Sequence, residues 1–438
     1  MTRARIWAVQ PDALLSWVCG VFLLLAFSQA WIFPIFGEEI SPSAGSLIRL
    51  VFFPAYAAGI YLLFSSGLRS LEAVLRAPIL LAMLATAGLS YFWSFDPSGT
   101  LKRVIALILT MACAYGLAAR FSWKTLAEVI GAVFLVLIVF SFLLAILLPE
   151  IGRMTNIFPG AWRGAWPEKN NLGGNMTIGC MVLLAAAILN PARRWLWLGG
   201  AGLALTLILL STSKTSLVAL ILGCGCLVFI GLVRRGPVMS TVTVWLAVAG
   251  LVLVGGILAF AAEEILGLLG KDATLTGRTE IWDGITRVVA DRPLTGYGYA
   301  VVWGDESPFA PLAKITKVAG FRAYHAHSGW YEVWLEMGLI GLIVWGLTYG
   351  EAVLRALLSA FRNPGAYVAL PVFIVYGLMT LTESVTLAYN DIRWVLFCTL
   401  LIRLSLPEPK PDPYARPLLP DLPARRGFRP DVWPPRLP

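Results

Sequence analysis

The chain has only two histidines, and they stand two residues apart in Ala323-Tyr324-His325-Ala326-His327-Ser328. An imidazole titrates near neutrality, so His327 is suited to take a proton from a hydroxyl nucleophile, with His325 beside it as a binding group. Two other readings share the spacing. One is a pair of interfacial histidines hydrogen-bonded within a loop; the other is a zinc site, which a His-x-His pair with no third ligand nearby supports weakly. Upstream, Gly277-Arg278 precedes a stretch from Thr279 to Asp291 that reads as an amphipathic helix at the membrane surface. Ile281, Trp282, Ile285, Val288 and Val289 share one face, and Asp291-Arg292-Pro293 ends the pattern. The N–H groups of a first helical turn with an arginine beside them form an anion site, and arginine grips phosphate oxygens bidentately. A surface arginine reaching lipid phosphate has the same spacing.

Further ionisable residues lie where apolar runs end. Lys214, in Ser211-Thr212-Ser213-Lys214-Thr215-Ser216, is either an anchor at the membrane boundary or a phosphate contact. Arg163, Glu168 and Lys169 stand in one polar loop, and Arg322 stands just ahead of the histidines. Glu332 and Glu336 follow the histidines at helical spacing and suit either orientation of His327 or a structural role. Glu383 falls inside an apolar run, where an ionisable group is costly, so function and structural hydrogen bonding weigh equally.

The elements that must position these residues are apolar. Hydrophobic residues make up 58% of the chain and charged ones 13%, with mean hydropathy +0.77, against about 25% charged residues in an ordinary soluble domain. Runs at 14–35, 46–65, 77–94, 102–119, 126–148, 172–190, 195–211, 215–233, 241–262, 329–350, 366–387 and 391–406 predict an all-α polytopic membrane protein of about twelve transmembrane helices. With the N-terminus in the cytoplasm, every cytoplasmic connection holds a basic pair: Arg3/Arg5, Arg69/Arg76, Arg120/Lys124, Arg193/Arg194, Arg234/Arg235 and Arg355/Arg362. This is the positive-inside pattern, so most of the +9 net charge reflects topology and not nucleic acid. The organisation expected is helices 1–9 over 1–262 with an external loop at 149–171, and a large external loop at 263–328. Helices 10–12 follow over 329–406, and a cytoplasmic tail covers 407–438.

That tail cannot bury a core, because eleven prolines fall between residues 405 and 438 among arginines. All six cysteines lie within apolar runs and read as small buried hydrophobes. The first run reads as an uncleaved helix, and no internal repeat of the kind many transporters carry is evident.

Two motifs, in order, carry a family resemblance. Gly277-Arg278-Thr279-Glu280-Ile281-Trp282, with Pro293, Gly296 and Gly298 after it, resembles the first signature of the O-antigen ligase and polysaccharide polymerase superfamily. Ala326-His327-Ser328-Gly329-Trp330-Tyr331-Glu332-Val333 through Glu336-Met337-Gly338-Leu339-Ile340-Gly341 resembles the second, with Ser328 where asparagine is usual. The resemblance implies a fold similar to the membrane-embedded GT-C glycosyltransferases and a bacterial inner-membrane location. It also implies metal-independent transfer of glycan from an undecaprenyl-diphosphate donor at a periplasmic site. By the resemblance, Arg278 and His327 fall on the family's functional arginine and histidine, and Lys214 replaces a second arginine.

Trp162 to Gly173, Ser211 to Ser216, Ser90 to Ser94 and Thr382-Glu383-Ser384 look more like exopolysaccharide polymerases than ligases acting on lipid A-core. The expectation is therefore an inverting polymerase of lipid-linked oligosaccharide repeat units, with no cofactor and no metal. Arg278, Lys214 and His327 are the catalytic candidates. Arg163, Lys169, His325, Arg322, Glu332 and Glu383 are the substrate-binding ones. Partners implied are the lipid-linked donor, a growing glycan or lipid acceptor, the bilayer and a chain-length regulator, but no nucleic acid. A ligase and a transporter of lipid-linked glycans are the alternatives.

Overall fold

A computed structural model describes residues 11–37, 41–156, 158–260, 277–304 and 307–408. The N-terminal Arg3/Arg5 pair, loop residues 261–276 and the proline-rich tail from 409 onward lie outside the described residues. The architecture is all helical: α1 Pro11–Phe27, α2 Ile32–Phe36, α3 Pro42–Ser65, α4 Leu68–Arg76, α5 Pro78–Leu89, α6 Pro97–Arg120, α7 Trp123–Leu147, α8 Pro149–Gly152, α9 Lys169–Leu189, α10 Arg194–Leu210, α11 Lys214–Val233 and α12 Pro237–Phe260. After the undescribed loop residues come α13 Arg278–Val289, α14 Pro311–Ala319, α15 Gly329–Ser359, α16 Ala366–Thr382 and α17 Ile392–Ser405.

Each of the twelve apolar runs overlaps a helix, but the run at 14–35 is broken between α1 and α2 and so does not form one span. Among the described residues, eight helices are long and apolar enough to cross a membrane, or nine if the bent pair Leu68–Arg76 and Pro78–Trp93 is one span. Asp12–Phe27 and Ala366–Thr382 are shorter apolar helices. The run at 366–387 is cut short: α16 ends at Thr382, and Glu383 to Leu387 form an irregular segment tied down by the Tyr376 hydroxyl, which donates to Val385 O at 2.8 Å.

Helix starts follow local chemistry. Proline opens α3, α5, α6, α8, α12 and α14, where its missing N–H would have had no partner in the helix. Ser41, Asp96, Ser122 and Asp391 accept side-chain caps from Ala44, Gly99, Thr125 and Arg393 N–H groups. Ser328 occupies the N-cap position of α15 as its sequence context predicts, but its hydroxyl makes no capping bond.

The α9 helix is central, with 78% of its apolar window buried, whereas α12 is peripheral at 6%. Trp345 of α15 ties three helices together, packing on Trp394 at 6.1 Å, Phe397 at 5.5 Å and Tyr376 at 6.3 Å. The basic connections meet at one end of the bundle. Arg76 donates to Ser405 O, Arg355 to Arg76 O, and Arg234 to Ala360 O and Asn363 O. Arg120 pairs with Asp12.

The other end carries a backbone joint that explains several motif residues. α15 breaks at Gly338, whose φ of 61° and ψ of −157° suit glycine alone. The break frees backbone groups, and in a lipid-embedded bundle these need partners. The segment after α13 supplies them: Leu339 and Ile340 N–H donate to Pro293 and Leu294 carbonyls, and Tyr297 and Gly298 N–H donate to Leu335 and Glu336 carbonyls, all at 2.8–3.2 Å. A Cβ on Gly296 would lie 2.6 Å from the Glu336 carbonyl carbon. Pro293, Gly296 and Gly298 of one motif therefore interlock with Glu336 to Gly338 of the other.

Candidate active site

Arg278 is the first residue of α13, preceded by Gly277 as N-cap at φ 84°. The helix starts and ends within two residues of the predicted boundaries. Its apolar face differs from expectation: Ile281, Ile285, Val288 and Val289 are buried against Ile315, Tyr297, Ala326 and Leu335, so protein and not the membrane surface covers it. Trp282 stacks on Tyr331 at 4.9 Å between ring centroids and donates its indole N–H to Ala326 O at 2.8 Å. The α13 helix is thus pinned beside the entrance of α15.

The pinning brings Arg278 to Glu383. Arg278 Nη2 lies 3.8 Å from Glu383 Oε1, with both side chains largely buried. Burial pushes the Glu383 carboxyl up to about 7, against the opposing pull of Arg278. Glu383 sits just past the last turn of α16, so it belongs to the end of the bundle and not to the interior of a span.

The histidine pair stands beside this ion pair. Their rings lie 3.9 Å apart, and His327 N–H donates to His325 Nδ1 at 3.3 Å. His327 has φ 51°, a left-handed conformation that costs energy in a non-glycine residue and is characteristic of functional positions. Burial, His325 and Arg278 together hold His327 down to about 3; burial and Arg278 hold His325 down to about 4. Both imidazoles are therefore neutral near pH 7, and among the described residues His327 Nδ1 has no hydrogen-bond partner. The same burial that keeps His327 neutral makes it a weaker base than the near-neutral imidazole the sequence suggests, so its basicity depends on what binds beside it.

Glu332 fixes the backbone around the pair and does not touch a ring. Its carboxylate accepts from Ala326 N–H at 2.7 Å and from the Trp303 indole at 2.6 Å. Ala326 is thus held from both sides, its N–H by Glu332 and its carbonyl by Trp282.

Lys214 opens α11 and is exposed. The serine-rich stretch before it packs at the same end: Ser213 Oγ donates to Asn170 Oδ1 at 3.0 Å, and Ser216 Oγ to Ser213 Oγ at 2.9 Å. Asn170, Ser213, Ser216 and Glu383 line one small pocket, which places the Lys214 segment beside the acid that faces Arg278. Lys169 donates to Thr212 Oγ1 at 3.3 Å and lies 3.5 Å over the Phe158 ring.

Arg163 is placed differently. Its buried guanidinium donates to Ile151 O at 2.8 Å, Glu150 O at 3.1 Å and Pro167 O at 3.3 Å, and lies 4.4 Å over the Phe33 ring. It holds the 149–168 loop in shape. Arg322 is exposed and lies 5.1 Å over Tyr324. Among the described residues, no group of three or more His, Cys, Asp or Glu side chains could hold a metal ion, and all six cysteines are free.

Sequence reasoning missed the acid–base pair Asp391–Arg393, whose closest atoms are 2.6 Å apart and which joins the cluster through Asn171, 3.3 Å from Arg393 Nη1. The signal was present: Asp391 and Arg393 put two charges into the first three residues of the 391–406 apolar run.

Comparison with known proteins gives the same assignment as the paired motifs. Residues 199–346 match the family model described as O-Antigen ligase, a stretch that contains Lys214, Arg278, His325, His327 and Glu332. The chain is also 30% identical, over 296 residues, to the Exopolysaccharide production protein ExoQ of Rhizobium meliloti (strain 1021). That alignment covers 64% of this chain and spans 66% of the relative's length. The protein is therefore a membrane protein in which residues 199–346, the stretch that holds both interlocked motifs, are similar to the O-antigen ligase family.

Proposed function

We propose that this protein is a glycosyltransferase that extends a surface polysaccharide by joining oligosaccharide repeat units carried on undecaprenyl diphosphate. The observation that carries this reading is the meeting of Arg278, Glu383 and a neutral histidine pair at one end of an apolar bundle. That end is where a lipid-linked substrate presents its diphosphate.

In the mechanism, Arg278 and Lys214 bind the diphosphate, and Arg278 stabilises the charge that grows on its oxygen as the bond to the anomeric carbon breaks. The acceptor hydroxyl attacks that carbon from the opposite face and passes its proton to His327, so the anomeric centre inverts. A bound diphosphate neutralises Arg278, one of the charges that depress His327, and the imidazole becomes a stronger base when substrate is present. His325 holds the His327 backbone, and Glu332 is a positioning residue.

In this proposal all twelve apolar segments cross the inner membrane in a GT-C-like arrangement, with both termini cytoplasmic and the 263–328 loop periplasmic. A chain-length regulator is the expected protein partner, and the reaction needs no metal. Polymerisation is favoured by the relative named for exopolysaccharide production, and the family description favours a ligase that makes one transfer to a lipid acceptor. Purified protein given lipid-linked repeat units separates the two. A ladder of lengthening products supports polymerase; one transfer, made only when a lipid A-core acceptor is added, supports ligase.

A further inference from the structure

At the same end of the bundle, lined in part by Asp391 and Arg393, lies a cavity of about 280 Å³ that the mechanism does not use. Its walls come from the segment after α1, the start of α2 at Ile32, the loop before α9, the first turns of α9 and the start of α17. Ser28, Gln29, Trp166, Asn171 and Asn175 contribute to the lining together with Asp391 and Arg393. The two charged residues form a bidentate pair, with Arg393 Nε 3.0 Å from Asp391 Oδ1 and Nη2 2.6 Å from Oδ2. Their charges cancel locally, so the cavity presents amides, a hydroxyl and an indole, not a net charge. A diphosphate has no attraction to such a wall. An uncharged ring bearing hydroxyl groups does, since each hydroxyl can donate and accept and the ring's C–H face packs on an aromatic side chain.

Asn175 gives the cavity wall a buried polar side chain. Asn175 is 2% exposed, and its side-chain amide donates to Asn171 O at 2.9 Å. Its side-chain oxygen has no hydrogen-bond partner among the described residues. A buried acceptor left unpaired costs about 1–3 kcal/mol, so such an atom calls for a donor that the protein itself does not supply. Gln29, on the opposite wall, is held at φ 55°, a conformation unfavourable to a residue with a side chain, and its amide donates to Asn390 O at 2.9 Å.

We infer that this cavity is a saccharide subsite that takes one sugar ring of the glycan substrate, with Asn175 and Gln29 reading hydroxyls and Trp166 as the packing face. The inference rests on the glycosyltransferase reading for the identity of the glycan, and it concerns binding, not transfer.

The test uses the whole purified protein in detergent and the oligosaccharide repeat unit released from its lipid by mild acid, so that no diphosphate is present. Saturation-transfer NMR reads contact between protein and sugar. Wild-type protein is expected to show transfer to the oligosaccharide. Asn175→Leu, which removes both polar atoms at similar size, and Ile32→Trp, which fills the cavity from its lining, should each reduce the signal at least fivefold. Arg287→Ala, on the exposed face of α13 and outside the cavity lining, should leave it unchanged. If Asn175→Leu does not fold, Ile32→Trp decides. No transfer to wild type, or equal transfer to the Ile32→Trp variant, overturns the subsite. Chain extension by wild type is scored separately: its failure with sugar binding intact strikes the polymerase reading and leaves the cavity standing.

Discussion

Arg278 and Glu383 approach to 3.8 Å, one from the start of a surface helix and the other from the segment just beyond a membrane helix. Burial is the larger influence on both histidines and on Glu383; Arg278 lowers the histidines further and partly offsets the burial that raises Glu383.

These shifts predict a particular pH dependence. Glu383 is raised from its ordinary carboxylate value to about 7, so the folded protein holds more protons than the unfolded chain between about 4.5 and 7, and stability falls as pH rises through that window. The histidines are lowered, so the unfolded chain holds more protons below 6.5, and stability falls as pH drops from there toward 4 and below. Glu383→Gln removes the first slope and keeps the second. Its thermal unfolding midpoint should therefore gain on wild type as pH is raised from 5 to 8; a constant offset between the two proteins across that range contradicts the assignment.

Gly338→Ala tests the backbone joint. The new Cβ would lie 2.3 Å from the Leu294 carbonyl carbon, and φ 61° with ψ −157° is a conformation that costs an L-residue about 1–3 kcal/mol even without a clash. We expect a lower unfolding midpoint and loss of polymer. Wild-type stability together with wild-type activity would mean that the two motifs do not depend on each other as described.

Much of the fold and part of the site were legible in the sequence. The apolar runs foretold the helices, and eight of these among the described residues, or nine with the bent pair, are long and apolar enough to cross a membrane, where a run of that length satisfies its backbone as a helix. The amphipathic pattern from Ile281 to Val289 fixed the identity and bounds of α13, and its N-terminal arginine reached the site. The joint was not legible, because it depends on which carbonyls a break at Gly338 exposes and which loop happens to meet them. Arg163 shows the same gap: its residue type and loop make it a substrate-binding candidate, and only the fold reveals three carbonyls around its guanidinium. Asp391–Arg393 escaped notice because no motif contained it.

Charge and fork geometry can be separated at the two cationic positions. Arg278→Lys keeps the charge and loses bidentate contact, and should reduce the transfer rate by about 10²-fold, the scale of losing one transition-state donor. Lys214→Arg gains a fork at an exposed position and should keep at least wild-type activity. Steady-state rates with lipid-linked repeat units measure both. A fully active Arg278→Lys enzyme would show that charge alone suffices.

Glu332→Gln addresses positioning. The carboxylate accepts from two donors, and the amide substitute faces one of them with a donor of its own, which leaves a buried clash of N–H groups. The expected result is a fall in kcat of about tenfold or more with the donor KM near wild type, since no contact to the diphosphate is lost. A change in KM alone would make Glu332 a substrate contact.

The most direct measurement compares purified wild type, His327→Ala and Arg278→Ala in one assay with lipid-linked repeat units, each protein checked for normal membrane insertion and unfolding temperature. The account predicts a product ladder from wild type and no extended product from either variant. A ladder from His327→Ala or from Arg278→Ala would contradict it.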